Sequence, residues 1–140
     1  MDKTKFFIKL VCRFCGKMKI ARPLLWKDNR LGKSYVASVL EGINLDTNKR
    51  RQVMRYNERL ISKMPILDII HTVFHELGHI KTKGKTRIEK EYKAEKFALK
   101  AMKKYYPKYY KTALNYLKKA CNFCDRIYAT AFKKLLKEVK

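Results

Sequence analysis

Residues 65–81 read PILDIIHTVFHELGHIK and carry the strongest structural signal in the chain. Pro65 marks the start of a helix, and the run Lys81-Thr82-Lys83-Gly84 marks its end. At about 100° per residue, the aliphatic side chains fall on one side of this helix and the histidines on the other. The aliphatic side is formed by Ile66, Ile69, Ile70, Val73, Leu77 and Ile80, with Leu67 and Phe74 at its edge. The pattern therefore predicts an amphipathic helix with a separate face that carries His71, His75 and His79.

The segment His75-Glu76-Leu77-Gly78-His79 predicts a catalytic zinc site on this helix. Two histidines four residues apart can direct their imidazole nitrogens at one ion, and Glu76 projects to the side, where it can reach a water on that ion. Zinc lowers the pKa of bound water and polarises a peptide carbonyl, so Glu76 would act as the general base. We expect His71 to lie at the surface or beside the site rather than to bind the metal.

The third zinc ligand is expected on the next helix, because no histidine follows His79. Thr86 and Glu89 have the capping-box spacing, so this helix should begin there and run towards Pro107. One face of it is basic, with Glu89 among the residues Lys93, Lys96, Lys100 and Lys103.

Two carboxylates, Glu91 and Glu95, lie on the other face of this second helix, with Ile88, Ala94, Ala98 and Met102. A packed carboxylate needs a cationic partner, and a metal with its imidazole ligands supplies one. Contacts with Lys93 or Lys96 would not serve, because residues one or two apart on a helix do not face each other. We therefore expect Glu91 to bind zinc and Glu95 to accept a hydrogen bond from a ligand histidine.

The segments His75–His79 and Glu91–Glu95 resemble the two motifs of the gluzincin metallopeptidases, and the short chain is most similar to the single-domain minigluzincins. The resemblance implies an α+β, zincin-like fold: a short twisted sheet packed on the active-site helix and followed by two or three further helices. It implies an upper-rim strand that pairs with an extended substrate, from residues 34–40 or 52–61. It also implies His75, His79 and Glu91 as ligands, Glu76 as general base and Glu95 in support, although the family usually has Asp at that last position. Some minimal members are latent, so the C-terminal helices could cover the cleft.

The cysteines form two C-x-x-C pairs, Cys12 with Cys15 and Cys121 with Cys124. The first pair resembles a zinc knuckle between two strands, and the second lies near the start of a last helix. Together they would complete a structural four-cysteine zinc site that ties the two ends of the chain. The alternative is that Cys121 and Cys124 are core residues on a continuous helix, and that the first pair is free or disulfide-bonded.

The remaining segments are predicted from local patterns. Strands are expected at residues 5–10 and 18–20, around a tight turn at Gly16, and again at 34–45. After a turn at 46–49, residues 52–61 are expected to form a further strand or a bent extended segment. A short helix is expected at 23–31, stopped at Gly32. From Lys108 onwards the apolar spacing fits one long helix or two shorter ones.

Length and charge limit the class of protein. The chain has 140 residues, of which 46% are hydrophobic, and this suits one domain over residues 1–140. A net charge of +23 attracts polyanions such as nucleic acid, but the lysines are spread along the chain and favour solvated helix faces. No membrane-spanning run or signal peptide is recognisable, so we expect a cytoplasmic location and no membrane partner.

The expected function is therefore zinc-dependent hydrolysis of a peptide or protein substrate. One alternative is a regulatory peptidase similar to those that cleave repressors, which also join H-E-L-G-H to a downstream Glu-Ala-rich helix. Another is a basic, nucleic-acid-associated zinc protein with little or no protease activity. The SprT-like proteases are set aside because they use a third histidine downstream, and none follows His79.

Overall fold

A computed structural model describes residues 1–31, 36–43, 45–122 and 124–139. The helices in these ranges are α1 (Lys3–Met18), α2 (Glu58–Lys63), α3 (Ile66–Lys81), α4 (Arg87–Tyr105), α5 (Pro107–Ala120) and α6 (Arg126–Glu138). The strands are β1 (Leu24–Lys27), β2 (Ala37–Ile43) and β3 (Arg50–Tyr56). The expected α+β class is confirmed. None of the helices in the described ranges is both long enough and apolar enough to cross a membrane.

The N-terminal segment is a helix, so the predicted strand, knuckle and second strand are wrong. The Asp2 side chain caps α1 by accepting a hydrogen bond from the Lys5 backbone N–H, and Lys19 ends the helix in the left-handed conformation. The buried side chains are Phe7, Leu10, Val11, Phe14 and Cys15, which recur every three or four residues. This helical period outweighs the local alternation of lysine with apolar residues. Gly16 lies within the helix rather than in a turn.

The sheet has the order β1-β3-β2, with β1 parallel and β2 antiparallel to β3. The strand predicted at 34–45 is confirmed as β2, and the first half of the segment predicted at 52–61 is confirmed as β3, with the turn between them. The second half of that segment is wrong, because β3 ends at Tyr56 and helix α2 begins at Glu58. The helix predicted at 23–31 is wrong, because Leu24–Lys27 pairs with the distant β3. Since β3 has a strand on each side, it cannot serve as the upper-rim strand, and an upper-rim role for β2 stays a prediction. The parts of these predictions that fall on residues 32–35 and 44 lie outside the described residues.

The chain divides into two compact units, Met1–Glu76 and Leu77–Lys140, and the division falls within the continuous helix α3. The single domain expected from the length therefore stays a prediction. In the first unit, Phe7 of α1 contacts Tyr56 of β3 at a ring-centroid distance of 5.6 Å. Phe14 contacts Phe74 of α3 edge-on at 4.7 Å, so α1 touches both the sheet and the helix that carries the motif.

In the second unit, α4 packs against α5 and α6. The predicted start of α4 is confirmed, because the Thr86 hydroxyl accepts a hydrogen bond of 3.1 Å from the Glu89 backbone N–H. The C-terminal end of α6 is joined to α4 by Glu138, which accepts a hydrogen bond from the Tyr92 hydroxyl and pairs with Lys96 at 3.3 Å. The last part of the chain forms two shorter helices, α5 and α6, rather than one long helix.

Candidate metal centre

Helix α3 separates its core side from its histidine side, as the sequence predicted. Its most deeply buried side chains are Ile69, Ile70, Val73, Phe74 and Leu77, each exposed by 3% or less. Phe74 belongs fully to this core rather than to its edge. His71, His75 and His79 are each only partly buried, so their rings lie at the margin of the packed region. This placement leaves the imidazoles accessible to an ion.

His75, His79 and Glu91 converge. One ligand atom from each of these residues lies within 4.8 Å of the other two, and no cysteine belongs to this group among the described residues. His79 Nε2 is 3.3 Å from Glu91 Oε1, and the Glu91 residue is only 8% exposed. The sequence reasoning that selected Glu91 over Glu89 is consistent with this arrangement, because Glu89 instead accepts a hydrogen bond from the Lys85 backbone N–H at the start of α4.

Gly78 allows α3 and α4 to approach closely enough for this contact. A Cβ atom added at Gly78 would lie 2.7 Å from the Ala94 carbonyl oxygen and 2.9 Å from the Ala94 Cα. The backbones of α3 and α4 are therefore in contact at Gly78 and Ala94, next to His79 on α3 and Glu95 on α4. Sequence reasoning missed this role, although a glycine inside a helical pattern is a signal for a packing or functional constraint.

The two remaining acidic residues of the motifs are buried. Glu76 is 7% exposed and follows His75 directly, and it is not part of the ligand group, as expected. Glu95 is 2% exposed. Burial raises the pKa of the Cys124 thiol, and the nearby charges of Asp125, Cys121 and Glu95 raise it further. Glu95 thus lies close to the connection before α6, and its hydrogen bond to a ligand histidine stays a prediction.

The cysteine pairs are placed differently from the knuckle arrangement. Cys12 and Cys15 lie on α1, and burial raises the pKa of the Cys15 thiol. Cys121 follows α5 and Cys124 lies before α6, so the alternative of one continuous helix through this pair is wrong. All four thiols are free, so of the two options for the first pair the structure has the free one. The structural four-cysteine zinc site stays a prediction, without the knuckle that was expected to form half of it.

The donor set fits a divalent metal ion. Two imidazole nitrogens and one carboxylate oxygen are ligands of the kind that zinc takes, and three protein ligands leave a fourth coordination position open. A closed structural zinc site would use four protein ligands, commonly with cysteine. The same three donors also suit other first-row divalent ions.

The chain has no match among protein-family models, curated proteins or solved structures. Its function therefore has to be inferred from the chemistry of the residues that the fold brings together.

Proposed function

We propose that the chain is a zinc-dependent peptidase that hydrolyses peptide bonds in an extended peptide or protein substrate. The observation that carries this proposal is the convergence of His75, His79 and Glu91 to within 4.8 Å, from two helices that were separated only by a short connection in sequence. Chance H-E-x-x-H motifs have no reason to meet a buried carboxylate from the next helix.

The residues have distinct roles in this proposal. His75, His79 and Glu91 would hold zinc, which when bound lowers the pKa of a water molecule and polarises the scissile carbonyl. Glu76 would accept the proton of the attacking water and donate it to the leaving amine, as a general base that becomes a general acid. Its burial suits this role, because restricted access of bulk water limits loss of the proton to solvent.

Two further observations are compatible with a peptide substrate inside the cell. Strand β2 is paired on one side only among the described strands, so an extended peptide could add to its other edge through main-chain hydrogen bonds. Four free thiols are typical of a reducing compartment, and we propose a cytoplasmic location on that ground. The motif resemblance to minigluzincins supports the same reading.

The test combines metal content with activity in the full-length chain. Zinc per chain is measured by elemental analysis, and cleavage is measured with a quenched fluorogenic peptide library. We expect His75→Ala to lose one zinc and all activity, and Glu76→Gln to keep the zinc while activity falls by roughly 10²- to 10⁴-fold.

Glu89→Gln is the matched control, because it makes the same carboxylate-to-amide change on α4 outside the ligand group. It should keep both the zinc and the activity. Zinc content that does not depend on His75, or activity that survives Glu76→Gln, would refute the proposal.

A further inference from the structure

One face of the sheet forms an open groove of about 750 Å³ in the first unit. Its floor is a row of apolar side chains across three strands, in which Leu24 and Leu40 both pair with Val53. Trp26 stands beside this row and is 60% exposed, and Leu24 is 45% exposed. The opposite face carries Met54 and Tyr56 into the core. A tryptophan left this exposed within an apolar patch is characteristic of a binding surface.

The charges around the groove have one predominant sign. Four cationic side chains and a single acidic one line it: Lys27, Arg30, Arg51, Arg55 and Asp28. Two of the cations are partnered, Arg55 with Asp28 at 3.7 Å and Lys27 with Glu58 at 3.4 Å. The other two make no ion pair with any described residue. The groove therefore complements a ligand that carries several negative charges.

Gly42 keeps part of the groove open beside one of these cations. It pairs with Arg51 across β2 and β3. A Cβ atom at Gly42 would lie 3.0 Å from Val53 Cγ2, so a side chain there would crowd the floor next to Arg51. On the other side of β3, Trp26 pairs with Arg55. An indole ring and guanidinium groups are thus presented on one face, with an uncrowded strip between them.

We propose that this groove binds single-stranded nucleic acid. Bases of a single strand can stack on the exposed Trp26 ring, while Arg51 and Arg30 contact phosphates. A duplex hides the faces of its bases, so it could use only the arginines. An acidic peptide would likewise satisfy the charges but leave the indole and the apolar floor without a planar partner. This inference uses none of the proposed zinc ligands or the proposed general base and does not rest on the peptidase proposal, although β2 borders the groove and is also the strand proposed to pair with substrate.

Trp26 makes the test direct, because it is the only tryptophan in the chain. Its fluorescence is followed while the full-length protein is titrated with a ten-nucleotide oligothymidine at low salt. We expect quenching that saturates, and an affinity that falls as salt is raised because phosphate contacts release counterions. Heparin and a polyglutamate peptide supply charge without bases, and we expect them to bind more weakly and without comparable quenching.

Variants are compared by the fluorescence anisotropy of a labelled oligonucleotide. Trp26→Leu should lower the affinity by roughly five- to a hundred-fold, since it removes one stacked base, whereas Trp26→Phe keeps an aromatic ring and should lose much less. Arg51→Gln should reduce the slope of log K against log salt by about 0.7, the value for one phosphate contact on a single strand. Arg59→Gln, an exposed arginine of α2 outside the groove, is the control for charge alone and should leave the Trp26 quenching intact.

Three results would overturn the proposal. Affinity unchanged in Trp26→Leu would mean that no base stacks on the ring. Equal quenching by heparin would mean that the groove responds to charge without bases. Tighter binding of the polyglutamate peptide than of the oligonucleotide would assign the groove to an acidic protein partner instead.

Discussion

Replacing Gly78 with alanine should separate α3 from α4 and weaken the candidate metal centre. The new methyl carbon would lie 2.7 Å from the Ala94 carbonyl oxygen, whereas ordinary van der Waals contact begins at 3.4 Å, so the backbones have to part by about 0.7 Å. That displacement exceeds the tolerance of about 0.5 Å within which a binding constellation has to be held. His79 and Glu91 lie on the two helices that would be forced apart, so the expected loss in zinc affinity is roughly 10- to 100-fold, as for loss of a supporting contact.

The same change should also lower the stability of the metal-free chain. Alanine favours a helix over glycine by about 1 kcal/mol. Overpacking costs typically 1–3 kcal/mol, and we expect a value near the upper end because the clash is with backbone that has no side-chain rotamer to change. The net result is a loss of about 2 kcal/mol in the free energy of unfolding.

Gly16→Ala is the matched control, because a Cβ atom at Gly16 in α1 meets nothing within 4 Å. It should stabilise the chain by up to about 1 kcal/mol and leave zinc binding unchanged. Zinc affinity is measured by competition with a chromogenic chelator, and stability by urea unfolding followed by circular dichroism. If Gly78→Ala binds zinc as tightly as the original chain, the close approach of α3 and α4 does not determine the geometry of the site.

Three other predictions concern the cap of α2, the hydrogen bond between α4 and α6, and the buried cysteine of α1. Asn57→Ala should destabilise the chain by about 2 kcal/mol in urea unfolding, because the side chain caps α2 through the Leu60 backbone N–H and donates to the carbonyls of Asn29 and Leu31. Asn57→Ser, which offers a hydroxyl for the cap without the charge that Asp would bury, should lose less, and an equal loss would contradict this account. Tyr92→Phe should raise the pKa of the Glu138 carboxyl towards its ordinary value in an NMR titration, because the Tyr92 hydroxyl and then Lys96 hold that pKa down. The stability that comes from this lowered pKa is present at neutral pH and is lost as the pH falls below about 4.3. An unchanged titration would mean that the hydrogen bond is absent in solution. Iodoacetamide at pH 8 should modify Cys15 more slowly in the folded chain than in urea, because burial raises the pKa of its thiol; equal rates would show that α1 does not bury it.

Helices α3 and α4 could be predicted closely because their signals are local. Pro65 and Gly84 mark the ends of α3, Thr86 caps α4, and the apolar period identifies which face of each helix packs. The same period placed Glu91 on the buried side, where the structure has it. Ile88 was expected on that side too, but it lies in the first turn of α4 and is 37% exposed.

The errors have two physical causes. In α1 the helical stripe from Phe7 to Phe14 was present in the sequence, but the spacing of the first cysteine pair suggested a knuckle instead. In β1 the four residues 24–27 have no strand signal of their own and are held by pairing with β3, far along the chain. The contact between Gly78 and Ala94 is likewise tertiary and has no counterpart in local propensity.

The proposed ligands all come from consecutive helices, within residues 75–91, and this bears on how the chain folds. Closing so short a loop costs little chain entropy, and contacts that are local in sequence form fast. By the same reasoning the sheet should form more slowly, because β1 forms only when Leu24 pairs with Val53, which is distant in sequence. Because a preformed metal site rarely exists in an unfolded chain, the free energy of metal binding adds to the free energy of folding. An ion captured early would therefore act as a template for the α3–α4 pair before the strands have closed, and zinc supply would affect the yield of folded protein as well as the proposed activity.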